Sequence, residues 1–227
     1  MSSQALEGGE AAGEQKLSPQ FHVAHHFDKA DTQFDAGRMG VWLFLVTEIL
    51  LFGGLFCAFA IFRSKYFPSF VEAHHHLDKV MGGINTLVLI GSSFTMAVAV
   101  RSAQKNETKK TTILLGITLA CAAAFLVIKY FEYSHKIHDG LLPGQLFHAQ
   151  GFTTGHPGLF FAIYVMMTGI HGLHVVIGMG LIMWILLRNA RNEFSSRYYA
   201  PVENVGLYWH LVDLVWIYLF PLLYLVG

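Results

Sequence analysis

The chain has 227 residues, of which 54% are hydrophobic and only 13% charged. Soluble domains carry about 25% charged residues, so this composition, with its mean hydropathy of +0.47, excludes a soluble globular protein and reads as a polytopic membrane protein. The formal net charge of +0 leaves no electrostatic footprint for a nucleic-acid partner. The two cysteines, Cys57 and Cys121, lie inside apolar runs and cannot build a thiolate-rich metal site.

Residues 1–37 are polar, with His22, His25 and His26 near their end. No apolar stretch follows a basic one, so they do not read as a secretory signal. They read as a flexible tail that becomes ordered near Phe21 or Phe34 if a partner holds it. The remaining residues, 38–227, read as one transmembrane domain. Its first helix is expected over 39–62, with Arg63, Lys65 and Tyr66 as interface anchors at its exit. Glu48 sits inside this apolar run. A charge at mid-bilayer depth costs on the order of 2.5–3.5 kcal/mol on insertion scales, so the carboxyl must face protein, water, headgroup or a proton. Gly54 and Ala58 have the small-xxx-small spacing that lets helices approach closely.

Pro68 forbids simple continuation of that helix. The run His74-His75-His76 points in three directions on any helix, makes a poor chelate and reads as surface. The second helix is expected over 81–100 and the third over 112–133. Lys129 and Glu132 fall in the last turns of the third, where long side chains can reach the interface. Residues 134–157, rich in His, Gly and Pro, read as the longest loop. The fourth helix is expected over 158–187, about 45 Å at 1.5 Å per residue, so it is tilted or projects beyond a ~30 Å core. His171 and His174 share one of its faces. The fifth is expected over 205–226, where His210 and Asp213 share a face.

The expected fold class is therefore all-α, a bundle of five transmembrane helices. Arg38, Arg101, Lys105, Lys110, Arg188 and Arg191 are among the ten basic residues on the N-terminal side of the membrane, and five of the 15 lie opposite. The positive-inside rule then places the N-terminus inside and the C-terminus outside. A bis-histidine haem needs ligands at matched depth on facing helices. His171 and His174 lie near mid-membrane, whereas His210 lies about 8 Å from one end of its helix, so the depths do not match. A binuclear copper site would want paired Cys ligands. The residues alone predict interhelical polar contacts at His171, His174, His210, Asp213 and Glu132, no metal and no catalytic centre.

Several strings make the chain recognisable. Arg38-Met-Gly-Val-Trp-Leu-Phe-Leu with Glu48, Asn85-Thr86 followed by Ser92-Ser93, Phe131-Glu132-Tyr133, Thr168-Gly-Ile-His-Gly-Leu-His-Val175 and Tyr208-Trp-His-Leu-Val-Asp-Leu-Val-Trp216 together resemble subunit III of the haem–copper terminal oxidases, specifically of cytochrome c oxidase. The likeness runs from Arg38 to Gly227. Longer family versions have seven helices; this chain is expected to be a five-helix bacterial type, without the first two. Lys129 stands where a neutral residue is usual, and the 134–157 loop is longer and richer in His than the family pattern.

The resemblance implies an accessory role in aerobic electron transport. The chain itself would carry no redox centre, haem and copper would sit in partner subunits, and phospholipids would bind in a cleft. The implied partners are oxidase subunit I by direct packing, subunits II and IV, and beyond these a respiratory supercomplex. The implied location is the bacterial inner (plasma) membrane. Glu48 matches the carboxylate that reacts with hydrophobic carbodiimides in relatives, a reactivity that needs a protonated acid in an apolar site. Arg188 matches an arginine that binds lipid phosphate. Quinol-oxidase relatives tend to carry Asp where Glu48 stands. A quinol-oxidase or nitric-oxide-reductase-linked subunit is the second reading. A stand-alone ion transporter is the third, disfavoured because no internal repeat is evident.

Overall fold

The computed structural model describes residues 30–143, 147, 152–153, 155–194 and 198–225. His22, His25, His26, Phe21 and His148 lie outside them. Six helices follow one another: α1 (Ala30–Lys65), α2 (Phe67–His74), α3 (Lys79–Gln104), α4 (Thr108–His138), α5 (Pro157–Ala190) and α6 (Ala200–Phe220), the last continued by a wide π-helical turn, Pro221–Leu225. Five of these elements are long and apolar enough to cross a membrane, and α2 is a short helix between the first two.

Each spanning helix begins earlier or ends later than its apolar run, and the reasons are local. Asp78 caps α3, its Oδ1 accepting from the N–H groups of Val80 (2.8 Å) and Met81 (3.1 Å). Pro68, Pro157 and Pro201 sit in the first turns of α2, α5 and α6, where the missing N–H costs nothing. At the other end, α3, α4 and α5 stop alike. Asn106, Gly140 and Asn192 take left-handed φ values of 63°, 68° and 55°. The next N–H turns back to the carbonyl five residues earlier: Glu107 to Ser102, Leu141 to Lys136, Glu193 to Arg188. The 134–157 loop is thus shorter than expected, because His135 and His138 are still helical. Its far part is tied back to α2 by Thr153, whose N–H and hydroxyl both donate to Glu72 Oε1 at 2.7 and 2.9 Å.

Helices α3 to α6 form the packed body. On α4 the buried residues are Thr111, Leu115, Thr118, Ala122, Phe125, Lys129, Glu132 and Lys136, an alternation of fours and threes that keeps one seam on the partner helices. A matching seam on α3 runs through Gly82, Asn85, Leu89, Ser92, Met96 and Ala99. The largest buried side chains, Trp209, Trp216, Tyr164 and Tyr224, come from α5, α6 and the π turn. Gly178 admits Trp209, since a Cβ there would lie 2.8 Å from the indole. The polarity is inverted relative to a soluble bundle: Leu87, Phe94, Tyr130 and Leu173 face outward, while Ser92, Thr118, Glu132 and Asp213 are inside.

Helix α1 is different. It buries a single stripe, Leu45, Phe52 and Phe59 at seven-residue spacing, and leaves Trp42, Leu43, Ile49, Leu50 and Ile61 exposed. Gly53 and Gly54 have open space where a side chain would go, so the small-residue spacing seats no helix among the described residues. The histidine run also departs from the surface expectation. His75 and His76 are exposed, but His74 is buried and holds the Val71 carbonyl with Nδ1 at 2.7 Å. Burial pushes the His74 imidazole below its usual value of 6.5.

Candidate functional site: the polar interior

The chemistry-bearing side chains gather in four places. The first joins α1 to α5. His174 Nδ1 donates to the Ile170 carbonyl at 2.8 Å, since a carbonyl can only accept. That leaves Nε2 facing Glu48 Oε2 at 2.8 Å. One proton therefore lies between imidazole and carboxyl, giving either a neutral acid donating to a neutral ring or an imidazolium donating to a carboxylate. Phe52 stands edge-on to the His174 ring, with centroids 5.3 Å apart. Tyr208 donates to the His174 backbone carbonyl at 3.0 Å. The two groups are 14% and 12% exposed, so lipid or a partner can reach them only at the edge.

The second is centred on Glu132. Its Oε2 accepts from Lys129 at 2.7 Å, and its Oε1 from Lys136 at 2.7 Å, Tyr164 at 2.8 Å and Tyr224 at 2.5 Å. Lys129 also donates to the Tyr224 hydroxyl at 2.8 Å and stands 4.5 Å over the Trp216 ring. Glu132 thus makes polar contacts between helices, but it and Lys129 do not reach out to the interface. Helix α4 runs on to His138, so both lie on its inward seam and are buried. Two ammonium groups share one carboxylate, and Lys136 is the third member that the sequence reading missed. The spacing 129, 132, 136 was its signal, because residues three and four apart share a helix face. A cavity of about 320 Å³, lined by His76, Asp78, Phe131 and His135 among others, opens over Glu132 and Lys136.

The third place is the contact of α6 with α3. Ser92 donates to the Leu89 carbonyl at 2.8 Å and stands 3.5 Å from Asp213 Oδ2, while the Trp209 indole N–H donates to Ser92 Oγ at 3.1 Å. Ser93 Oγ meets His210 Nδ1 at 2.7 Å. Asp213 and His210 thus face the same helix. Thr95 meets Thr118 across α3 and α4 at 2.8 Å, and the Tyr133 hydroxyl reaches Thr168 on α5 at 2.5 Å. His171 is not part of this pattern. It is fully buried between Phe125 and Trp216 and makes no hydrogen bond to the described residues.

The fourth is at the end of α5. Arg188 donates through Nε to Glu193 at 2.5 Å and stacks on Trp184 and Phe194, 5.0 and 5.3 Å from their ring centres. Its side chain is 28% exposed. Asn189 beside it donates to the Thr108 carbonyl and to Thr112 Oγ1, tying α5 to the start of α4. Among the described residues, no group of three or more His, Cys, Asp or Glu is placed to hold a metal ion. What these arrangements supply is a set of exchangeable protons inside helix contacts and a cation at one end of the bundle.

Fold and interior together define a multi-span helical membrane protein with paired ionisable groups between its helices. The sequence profile of cytochrome c oxidase subunit III matches residues 22–227, and the chain belongs to that family. It is 36% identical over 193 residues to cytochrome c oxidase subunit 3 of Synechocystis sp., covering 85% of this chain and 76% of the relative. It is 33% identical over 192 residues to cytochrome c oxidase subunit 3 of Bacillus subtilis, covering 83% and 86%. It is also 29% identical over 212 residues to quinol oxidase subunit 3 of Bacillus spizizenii, covering 91% and 97%.

Proposed function

We propose that the chain is a non-catalytic subunit of a proton-pumping cytochrome c oxidase, packed on subunit I, that holds lipid and sustains proton uptake. The carrying observation is the family match over residues 22–227. The cytochrome c reading is favoured over a quinol oxidase by Glu48, where quinol-type relatives tend to carry Asp, and by higher identity to the cytochrome c relatives named above. Haem and copper belong to partner subunits in this reading. The chain lies in a bacterial inner membrane with its N-terminus inside, in accord with the ten-to-five division of its basic residues. Subunits II and IV complete the complex, and the exposed face of α1 is free for subunit I or lipid.

In that orientation the Arg188 end of α5 lies at the inner boundary. A guanidinium there pairs with lipid phosphate by charge-assisted hydrogen bonds, with Trp184 and Phe194 flanking it. The chain acts on turnover through the charge, water and lipid it arranges on the flank of subunit I. The test is steady-state oxygen consumption against pH for the complex with and without this chain, using reduced cytochrome c and a quinol in turn. Loss of the chain is expected to slow turnover most at high pH, where protons are scarce. Curves scaled by one factor at every pH would leave only an assembly role, and activity with the quinol alone would move the chain to the quinol oxidases.

A further inference from the structure

Trp216 is where the four helices of the packed body meet. Its indole N–H donates to Thr86 Oγ1 on α3 at 3.1 Å. Its ring stands against Phe125 of α4, with centroids 4.9 Å apart, and against His171 of α5, at 5.2 Å. Lys129 Nζ also stands over the ring, 4.5 Å from its centre. Next to Thr86, Asn85 is fully buried on the inward seam of α3, and His171 is fully buried on α5. Both polar atoms of the Asn85 amide and both ring nitrogens of His171 lack a hydrogen-bond partner among the described residues. Buried polar atoms in native proteins are nearly always hydrogen-bonded, to protein or to bound water.

We propose that Asn85 and His171 form an internal water site at the level of Trp216, in which ordered water bridges the amide to the imidazole. The occupant follows from the donor set. Asn85 brings two N–H donors and one acceptor, and the imidazole one donor and one acceptor, which is complementary to water. A metal cation is disfavoured by the Lys129 ammonium over the same indole. An apolar occupant would leave all four atoms unsatisfied. The site lies between the Glu132 centre on one side and the Ser92–Asp213 contact on the other, where Asp213 Oδ1 also lacks a hydrogen-bond partner among the described residues. Water here places exchangeable protons at three successive levels of one bundle. It also accounts for a fully buried histidine with no hydrogen bond to the described residues.

The test uses the membrane complex that carries this chain. In a map fine enough to show water, density is expected within about 2.7–3.2 Å of both the Asn85 amide and a His171 ring nitrogen. A direct Asn85–His171 hydrogen bond, or two well-resolved side chains with no density between them, overturns the proposal. A thermal double-mutant cycle reads the same site independently. Asn85→Leu and His171→Phe are each expected to shorten the inactivation half-life about fivefold by orphaning the other partner. The double variant is expected to be no worse than the worse single. Effects that simply multiply would mean that the two residues share nothing and would overturn it.

Discussion

Tyr224 gives its hydroxyl proton to Glu132 Oε1 while accepting from Lys129, which itself holds Glu132 Oε2. The C-terminal π turn is thereby locked to the middle of the ion cluster on α4. Pro221 cannot supply a backbone N–H, and the widened turn it opens carries Tyr224 inward beside Tyr164, with their hydroxyls 3.0 Å apart.

The first prediction concerns the cluster. Glu132→Leu leaves two buried ammonium groups without their anion and is expected to destabilise the complex by on the order of 3–5 kcal/mol. The triple change Lys129→Met, Glu132→Leu, Lys136→Met is expected to recover most of that loss, because an apolar seam has no charge to strand. Thermal inactivation of the purified complex compares the two. A triple variant as unstable as the single would mean that the cluster contributes packing and not charge balance.

The second concerns Glu48. Glu48→Gln keeps a hydrogen-bonding group opposite His174 and is expected to leave assembly intact and to abolish carbodiimide labelling of this chain. His174→Phe removes the ring that occupies the carboxyl at 2.8 Å, so the carboxyl is expected to label faster than in the parent. Labelling that survives Glu48→Gln would place the reactive carboxyl elsewhere.

Close packing at one glycine gives the third. A Cβ at Gly178 would meet the Trp209 ring at 2.8 Å, whereas one at Gly180, two residues on, would meet nothing within 4 Å among the described residues. Gly178→Ala is expected to cost about 1–3 kcal/mol through overpacking, and Gly180→Ala to be neutral or slightly favourable by helix propensity. Equal effects on melting would contradict the Trp209 contact.

The fourth is a pH dependence at His74. Its folded-state value is lowered from 6.5 by burial, so the folded protein binds this proton less readily than the unfolded chain does. Above the unfolded value both forms are neutral and the full stability is present. As pH falls through 6.5 the unfolded chain takes up the proton first, and stability is lost. His74→Gln should therefore flatten the fall in thermal stability on the acid side and leave the alkaline side unchanged. An unaltered acid slope would assign it to other groups.

Arg188 gives the fifth. Arg188→Ala is expected to lower the phospholipid retained on purification and to shorten the active lifetime, with the initial rate little changed. Glu193→Gln frees the same guanidinium from its carboxylate and should not lower retained lipid. Equal lipid losses in both variants would make the Arg188–Glu193 contact, and not a headgroup, the reason for the arginine.

The five spans were legible because each is a long apolar run, and length against bilayer thickness is a coarse quantity that survives small errors. Their ends were not, because an Asp78 cap or a left-handed Asn106 is decided by a few hydrogen bonds that hydropathy does not register. The fate of Lys129 and Glu132 turned on this. With α4 ending near residue 133 they read as side chains reaching the membrane interface, whereas the longer α4 carries them on its buried seam. Facing positions on one helix, such as His210 and Asp213, could be read from spacing. Which helix they face could not, since Ser92 and Ser93 lie more than a hundred residues away. The same holds for His171, whose neighbours Phe125 and Trp216 come from two other helices.

Glu48 and His174 are 126 positions apart in the chain. At a synthesis rate of ~5–20 residues per second, α1 leaves the ribosome on the order of ten seconds before its partner on α5 exists. Glu48 therefore enters the bilayer before His174 can meet it, where an unpaired charge costs on the order of 2.5–3.5 kcal/mol. The contact with His174 can form only once α5 has been made, so this pairing of α1 with α5 is a late step of biogenesis. A cell that inserts α1 but lacks α5 would hold a helix with a carboxyl in its apolar run and no ring to meet it.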